Sequence, residues 1–396
     1  LGSGPETQHL CRPGREVPGM RLLFVTNSLD VGGIETSICR LTTELTQRGH
    51  SVTVASQDGV LTDSVRLAGG GTASLDLKLG SPLRVVRDVL YLRRLIAREA
   101  DVVHVFAAKA AILLRVAVVT TRRSRRPPIV SSLMGLQASP EEPVWKSRLR
   151  GYMTLVGADV VVVTSPAIGE LITGLRRKPR QIIEASVVGV EVPEALPSER
   201  GSSLRSSLGM TDADRAVLTI GRLDPGKSHD LFIQGAAIVT SRIPAVHFFI
   251  AGGGALESDL SDLIEALGVD DRVHLLGERD DVTDLLSITD ICVRPGIVEG
   301  FVGVTVLEAQ AQKVPVVSFD TRDVRPAIID GESGLLVPLA DVAGLANAII
   351  RLLEAPDLAA SIGLAGHNQF MKRFWIDSIV NNLLEIYVSV NRATER

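Results

Sequence analysis

From Arg21 onward the chain alternates short, continuous apolar runs with longer stretches in which apolar residues return every three or four positions. The first kind reads as buried strand and the second as amphipathic helix. Arg21 to Leu29 is the opening run. Asp30-Val31-Gly32-Gly33 follows, then Ile34, Ile38, Leu41 and Leu45 fall on one helical face that Gly49 closes, and Ser51 to Ala55 returns as strand. The pattern continues with strands at Asp101 to Phe106, Pro128 to Leu133 and Asp159 to Thr164, and a helix at Lys109 to Val119. Pro193 to Ser207, rich in Pro, Ser and charge, reads as a linker.

A second series predicts strands at Ala216 to Ile220, Val246 to Ala251, Val273 to Leu276, Ile291 to Val293 and Val314 to Phe319. Helices are predicted at Ser228 to Val239, Glu257 to Leu267, Val282 to Ser287, Val342 to Leu353 and Ser378 to Val390. Such alternation implies α/β architecture: two doubly wound, Rossmann-like parallel-sheet domains facing across a cleft. Ligands in such sheets bind outside the carboxyl ends of the strands.

A length of 396 residues agrees with two domains. The expected division is an extension or tag remnant over 1–19, a first Rossmann-like domain over 20–197, a second over 198–376, and a helix over 377–396 that crosses back to the first domain. The content of 45% hydrophobic and 22% charged residues is that of a globular protein. Cys11, Cys39 and Cys292 are too scattered for a disulfide framework or a zinc site, so a reducing cytoplasm is the expected compartment. The first nineteen residues hold no apolar run suited to a signal peptide. The longest apolar stretch, Ala107 to Val119, is interrupted by Lys109 and Arg115, against the roughly 20 residues of a membrane span. Charge is split: Met20 to Pro197 carries 23 Lys and Arg against 16 Asp and Glu, Ser198 to Arg396 carries 17 against 28. A basic first half suits an anionic acceptor or the inner face of a membrane, although solvation alone also explains surface charge. Arg122, Arg123, Arg125 and Arg126 follow a predicted helix, whose C-terminal dipole they complement.

Candidate chemistry lies in the loops after strands. Gly32-Gly33 permits close backbone approach to a phosphate or sugar, or serves a turn that needs positive φ. Gly221-Arg222-Leu223-Asp224-Pro225-Gly226-Lys227 precedes a helix for which Ser228 is the expected N-cap. A guanidinium, an ammonium and helix amides on one loop suit a diphosphate and the charge that develops on it as a leaving group; a plain surface turn at Pro225-Gly226 is the alternative. Gly252-Gly253-Gly254 ends another strand of the same domain and lacks the spacing of a dinucleotide fingerprint. Glu299 and Glu308 bracket a glycine-containing loop and the start of a helix. Ionised carboxylates only accept hydrogen bonds, so they suit sugar hydroxyls rather than phosphates.

Gly32-Gly33-Ile34-Glu35, the Gly-Arg-Leu…Lys segment at 221–227, Ala251-Gly252-Gly253-Gly254 and Glu299-Gly300-Phe301…Leu307-Glu308-Ala309 stand in the order seen in the GT4-like family of retaining glycosyltransferases with the GT-B fold. The chain resembles that family from Met20 to about Trp375. The resemblance implies that Arg222 and Lys227 hold a donor diphosphate, that Glu299 engages hydroxyls of the transferred sugar, and that Glu308 binds the ribose. Gly33, Gly221, Gly253, Gly300 and Phe301 complete the implied donor site, with Arg222, Lys227 and Glu299 as the catalytic set. Gly32, His104 and Met134 fall on the acceptor or sugar side. The implied activity is hexosyl or N-acetylhexosaminyl transfer from a UDP- or GDP-sugar to a small-molecule, lipid-linked or glycan acceptor, with no metal, no cofactor and no nucleic acid.

Three features depart from the family pattern. Glu299 and Glu308 are separated by one residue more than usual, with Val302 as the extra one; Met134-Gly135 replaces the usual His-Gly; and Val188-Gly189-Val190-Glu191 replaces Asn-Gly-Val-Asp. His104 matches the first position of a His-x-His pattern, and a buried, satisfied histidine is the stronger reading there. A sugar-nucleotide epimerase of the same fold and a non-catalytic nucleotide-sugar binding module are the competing functions.

Overall fold

The computed structural model describes residues 18–30, 32–76, 82–121, 126–133, 157–163, 181–297 and 303–394. The first half runs β1 (Arg21–Ser28), α1 (Gly33–Gln47), β2 (Ser51–Gln57), α2 (Thr62–Leu67), β3 (Gly71–Ser74), α3 (Pro82–Glu99), β4 (Val102–Val105), α4 (Ala108–Thr120), β5 (Ile129–Leu133), β6 (Val160–Val163) and β7 (Gln181–Glu184). Its seven strands form one sheet in the order β3-β2-β1-β4-β5-β6-β7, every neighbour parallel.

The second half runs α5 (Ser198–Ser207), β8 (Arg215–Ile220), α6 (His229–Arg242), β9 (Val246–Ala251), α7 (Glu257–Leu267), β10 (Val273–Gly277), α8 (Val282–Ser287), β11 (Ile291–Arg294), α9 (Val304–Ala311), β12 (Val316–Phe319), β13 (Leu335–Val337), α10 (Val342–Glu354), α11 (Pro356–Arg373) and α12 (Ile376–Thr394). Six parallel strands are ordered β10-β9-β8-β11-β12-β13. Two parallel α/β domains thus face each other, as the alternating pattern predicts.

The strands are apolar because both sheet faces are covered. Every residue of β6 and of β9 is buried. On one face of the first sheet, Leu92 and Leu95 of α3 and Leu114 of α4 pack with Leu23, Val25 and Val103. On the other, Ile38 and Leu41 of α1 and Val380, Leu383 and Tyr387 of α12 pack with Leu22 and Phe24. Each fully buried leucine of this kind is worth roughly 2 kcal/mol of transfer free energy. Arg48, at the C-cap of α1, ties α12 down through ion pairing with Asp377 and a 2.7 Å hydrogen bond to Asn381.

Some elements carry no apolar periodicity and are not evident from the pattern. Ser198–Ser207 lies within the stretch read as linker, yet it is helical with no buried residue. Side chains hold it instead: Arg200 pairs with Asp284, and Arg205 donates to the carbonyls of Ile288, Thr211 and Asp214. β3 is a short edge strand of Gly-Thr-Ala-Ser. α3 is a different case: Val89, Leu92, Leu95 and Ile96 recur at helical spacing and are buried, yet this helix is absent from the predicted elements.

Both sheets reverse their winding once, between β1 and β4 and between β8 and β11. A crevice opens at such a reversal, beyond the carboxyl ends of the two strands. The loops carrying Gly32-Gly33 and Arg222…Lys227 leave the sheets at these two points.

Candidate functional site

At the β8/β11 reversal a pocket of about 50 Å³ is lined by Thr219, Ile220, Gly226, Lys227 and His229 from the β8 side, and by Val293, Arg294, Pro295, Gly296, Gly303 and Thr305 from the β11 and α9 side. Pro225–Lys227 makes one turn of 3-10 helix ahead of α6. The N-terminus of α9 opens onto the same pocket through Gly303 and Thr305, bringing unpaired helix amides and the positive end of the helix dipole.

Lys227 keeps exposed surface, yet its amine is crowded by protein. Partial desolvation, then the guanidinium groups of Arg294 and Arg222, hold its pKa below the ordinary lysine value, with Asp224 and Asp323 opposing. Among the described residues no carboxylate lies within ion-pair range of it. Arg222 shares the loop, but its side chain is 81% exposed and paired with Asp224 at 2.8 Å. It stands at the rim and is absent from the pocket lining.

Arg294 is the residue that the apolar pattern misses. The predicted strand stops at Val293, whereas β11 runs one residue further and delivers a guanidinium to the pocket. Arg294 is mostly buried, donating to Asp323 at 2.7 Å, to Thr321 Oγ1 at 3.0 Å and to the Gly296 carbonyl at 3.2 Å. The signal was available: a charged residue ending an apolar strand just before Pro295-Gly296, on the edge where doubly wound sheets bind ligands.

His229 is also buried against the pocket. Its Nε2 donates to the Arg222 carbonyl at 3.2 Å, so Nδ1 is the acceptor nitrogen, and Nδ1 has no hydrogen-bond partner. Burial lowers its pKa and keeps the ring neutral. Ser228 occupies the N-cap position of α6, but it is left-handed, with φ 53°, and makes no side-chain cap bond. That backbone conformation turns Oγ away from the first amides of the helix, and the expected cap is not formed.

The glycine triplet supports the cation loop from below. A Cβ at Gly252 would sit 2.1 Å from the Gly221 carbonyl oxygen, and one at Gly254 would sit 2.7 Å from that of Leu223. Gly252 and Gly254 also have positive φ of 149° and 157°, so side chains are excluded by strain as well as by space. The Gly253 carbonyl accepts the Leu223 amide at 2.9 Å, and Gly221 donates to the Ala251 carbonyl at 3.0 Å. Gly221 and Gly253 are thereby fixed within one backbone-to-backbone contact.

Glu308 lies in the second turn of α9, with its side chain 25% exposed. Burial raises its pKa, and Arg40 of α1 opposes the rise. The Arg40 guanidinium reaches Glu308 at 3.5 Å and donates to the Gly189 carbonyl at 3.2 Å, bridging the first domain, the segment between the sheets and the second domain. Gly32 is extended, with φ −173°, and Gly33 is not in the positive-φ region, so neither serves a left-handed turn. Gly33 meets the second domain directly: a Cβ there would lie 3.3 Å from Val304 of α9. Glu299, Gly300, Phe301 and Met134 lie outside the described residues.

His104 follows the buried-histidine reading. It is 1% exposed, with Nδ1 2.6 Å from Tyr387 Oη and Nε2 2.6 Å from Ser132 Oγ, and burial pushes its pKa down to about 3. Both ring nitrogens are engaged inside the protein. Arg126 donates to the Thr121 and Val119 carbonyls at the end of α4, while Arg122, Arg123 and Arg125 lie outside the described residues. Among the described residues no group of three or more His, Cys, Asp or Glu is placed to hold a metal ion, and no helix is long and apolar enough to cross a membrane.

The fold defines a class: two facing parallel-sheet domains with a cation-lined pocket at a winding reversal, the GT-B arrangement. Residues 31–184 match the family described as Glycosyltransferase Family 4, and residues 202–369 match Glycosyl transferases group 1. Each of the two domains is thus similar to a glycosyltransferase family. It is 31% identical over 208 residues to the alpha-D-kanosaminyltransferase of Streptomyces kanamyceticus, covering 51% of this chain and 52% of that protein. It is 29% identical over 251 residues to a D-inositol 3-phosphate glycosyltransferase of Mycolicibacterium smegmatis, covering 61% and 56%. The chain spans about half the length of the curated relatives it matches. Among solved structures it is similar to Anabaena Alr3699/HepE in complex with UDP and glucose, with a TM-score of 0.78 at 21% identity, covering 93% of this chain and 100% of that one. The glycosyltransferase WaaG, involved in lipopolysaccharide biosynthesis, gives 0.68 at 18% identity, covering 92% and 99%. At these identities the likeness is one of fold.

Proposed function

We propose that this protein transfers a hexosyl or N-acetylhexosaminyl group from a nucleotide-activated donor, a UDP- or GDP-sugar, to an acceptor with retention of anomeric configuration. The observation that carries the reading is the convergence of the Lys227 amine, the Arg294 guanidinium and the N-terminus of α9 on one pocket at the β8/β11 reversal. Three positive features around a small cavity fit a diphosphate, and a diphosphate is the leaving group of such a donor. Uridine is the base we favour, because the Anabaena protein of like fold holds UDP with glucose.

In this reading Lys227 contacts the outer phosphate. Arg294, held by Asp323 and Thr321, supplies a fixed positive field, and Arg222 closes the rim. Glu308 accepts hydrogen bonds from the ribose and Glu299 from the transferred sugar. Gly300 and Phe301 adjoin that sugar, Gly33 adjoins the donor, and Gly32 and Met134 fall on the acceptor side. The bond between the anomeric carbon and the phosphate oxygen breaks as the acceptor oxygen bonds that carbon on the same face. The acceptor proton passes to the leaving phosphate oxygen, so a basic side chain is not needed for it. Charge neutralisation comes from the chain's own cations, without a divalent metal.

The test is a panel of UDP- and GDP-sugars incubated with the protein and no acceptor. Slow release of nucleoside diphosphate and free sugar from one or two donors is expected. Release from none of them, or conversion of the donor to its epimer with the nucleotide still attached, overturns the reading.

A further inference from the structure

The outer surface of α3 combines exposed apolar residues with arginines. Along Pro82–Glu99, Val89, Leu92, Leu95 and Ile96 are buried against the first sheet and α4. On the opposite side Leu83 is 84% exposed, Val86 55% and Leu90 49%. Their spacing of three and then four residues puts them on a single stripe, so they are not the singly scattered apolar residues that any surface carries. At 100° per residue Arg93 flanks the stripe on one side, and Arg87, Arg94 and Arg98 flank it on the other. Arg87 is committed to Asp88 and Asp76. Arg93, Arg94 and Arg98 make no ion pair among the described residues. Tyr91 stands 38% exposed at the border, and Val119 of the adjoining α4 is 70% exposed in the same outer layer.

We infer that α3 is a docking surface for an anionic lipid bilayer, with Leu83, Val86 and Leu90 entering the interface and Arg93, Arg94 and Arg98 meeting lipid phosphates. A helix lying in the plane of a bilayer needs an apolar stripe bordered by cations, with an amphipathic aromatic ring at the boundary, and α3 presents this combination outward. Pairing with a second copy of the chain is disfavoured by charge. A two-fold contact would set the arginines of one α3 against those of the other, with no acidic side chain among the described residues exposed between them. The surface is a different one from the basic run after α4, where Arg126 is spent on carbonyls. It is also remote from the donor pocket, so the inference stands whether or not the transfer reaction does.

Co-sedimentation of the protein with vesicles, without donor or acceptor, tests it. Vesicles of equal phosphatidylglycerol and phosphatidylcholine should bind the protein, vesicles of phosphatidylcholine alone much less, and added salt should release it. Each arginine near an anionic surface contributes on the order of a few-fold in affinity, so Arg93→Gln with Arg94→Gln should weaken binding roughly 30-fold. Leu83→Ser with Leu90→Ser should weaken it at least about tenfold. All four residues are exposed, so both variants should keep the melting temperature and any lipid-free donor hydrolysis of the parent. Equal binding to both vesicle types, or full binding by both variants, overturns the inference. A lipid-free dimer that Leu83→Ser with Leu90→Ser splits into monomers, with no vesicle binding by the parent, assigns the stripe to self-association instead.

Discussion

Replacing Lys227 by alanine separates function from stability more sharply than any other change in the pocket. Arg294 already has three partners and Arg222 is turned to Asp224, whereas the Lys227 amine has no carboxylate within ion-pair range among the described residues and is left for a ligand. Two unit charges about 4 Å apart at an effective dielectric near 20 interact by about 4 kcal/mol. Removing one preorganised donor from a developing anion typically costs about 3 to 4 kcal/mol, or roughly 100- to 1000-fold in kcat. Lys227→Ala should therefore lose donor turnover by that factor. Lys227→Met, which keeps the stem, should lose as much, because the charge and not the packing is at stake. The folded protein should barely notice. Desolvation, and after it the guanidinium groups of Arg294 and Arg222, lowers the pKa of the amine, so its removal relieves both and the melting temperature should stay within about 2 °C of the parent or rise. The depressed pKa adds a sign. At alkaline pH the free protein has partly lost this proton, a bound diphosphate restores it, and UDP binding should take up protons, as read by calorimetry in buffers of different ionisation heat. Unchanged kcat/KM in Lys227→Ala, or activity lost together with a large fall in melting temperature, would refute the assignment.

Three further outcomes follow from the same geometry. His104 is neutral in the fold down to about pH 3, while its unfolded value is 6.5, so its contribution is intact above pH 6.5 and is lost as the pH falls toward 3. That loss amounts to roughly 4 to 5 kcal/mol, and urea titrations of the parent against His104→Gln should show the pH slope reduced in the variant by that share. Gly252→Ala should fail to give soluble protein or cost more than about 3 kcal/mol, whereas Gly268→Ala, left-handed at φ 64° with open space around it, should cost only about 1 to 2 kcal/mol by thermal melting. Glu308 has a pKa raised by burial, so its ionised form costs stability above that pKa. Glu308→Gln should hold or raise the melting temperature near neutral pH while weakening UDP binding at least tenfold by calorimetry.

Much of the fold is legible because the strands are buried on both faces and the loops between them carry Gly and Pro. The predicted limits of Val246–Ala251, Glu257–Leu267 and Val282–Ser287 coincide with β9, α7 and α8. Elements that bury little, such as Ser198–Ser207, leave no periodic trace. The site is legible where it depends on loop chemistry: Lys227 lies where the loop after β8 suggests. It is illegible where it depends on partners distant in sequence. Nothing local says that Arg294 would be kept in the pocket by Asp323 and Thr321, that His104 would be closed off by Tyr387 from the last helix, or that Arg40 would reach Glu308.

The Arg40 bridge bears on which nucleotides the pocket can tell apart. Under the proposed function, a ribose arriving at Glu308 would meet a carboxylate already in contact with a guanidinium at 3.5 Å, and the same guanidinium holds the Gly189 carbonyl between the sheets. Binding there would be an exchange in which two sugar hydroxyls replace a cation, and the gain would be the difference between the two sets of contacts. A deoxyribose would have less to offer in that exchange. On that proposal, discrimination between ribo- and deoxyribonucleotides would be set by a residue that belongs to the opposite domain and does not itself touch the sugar.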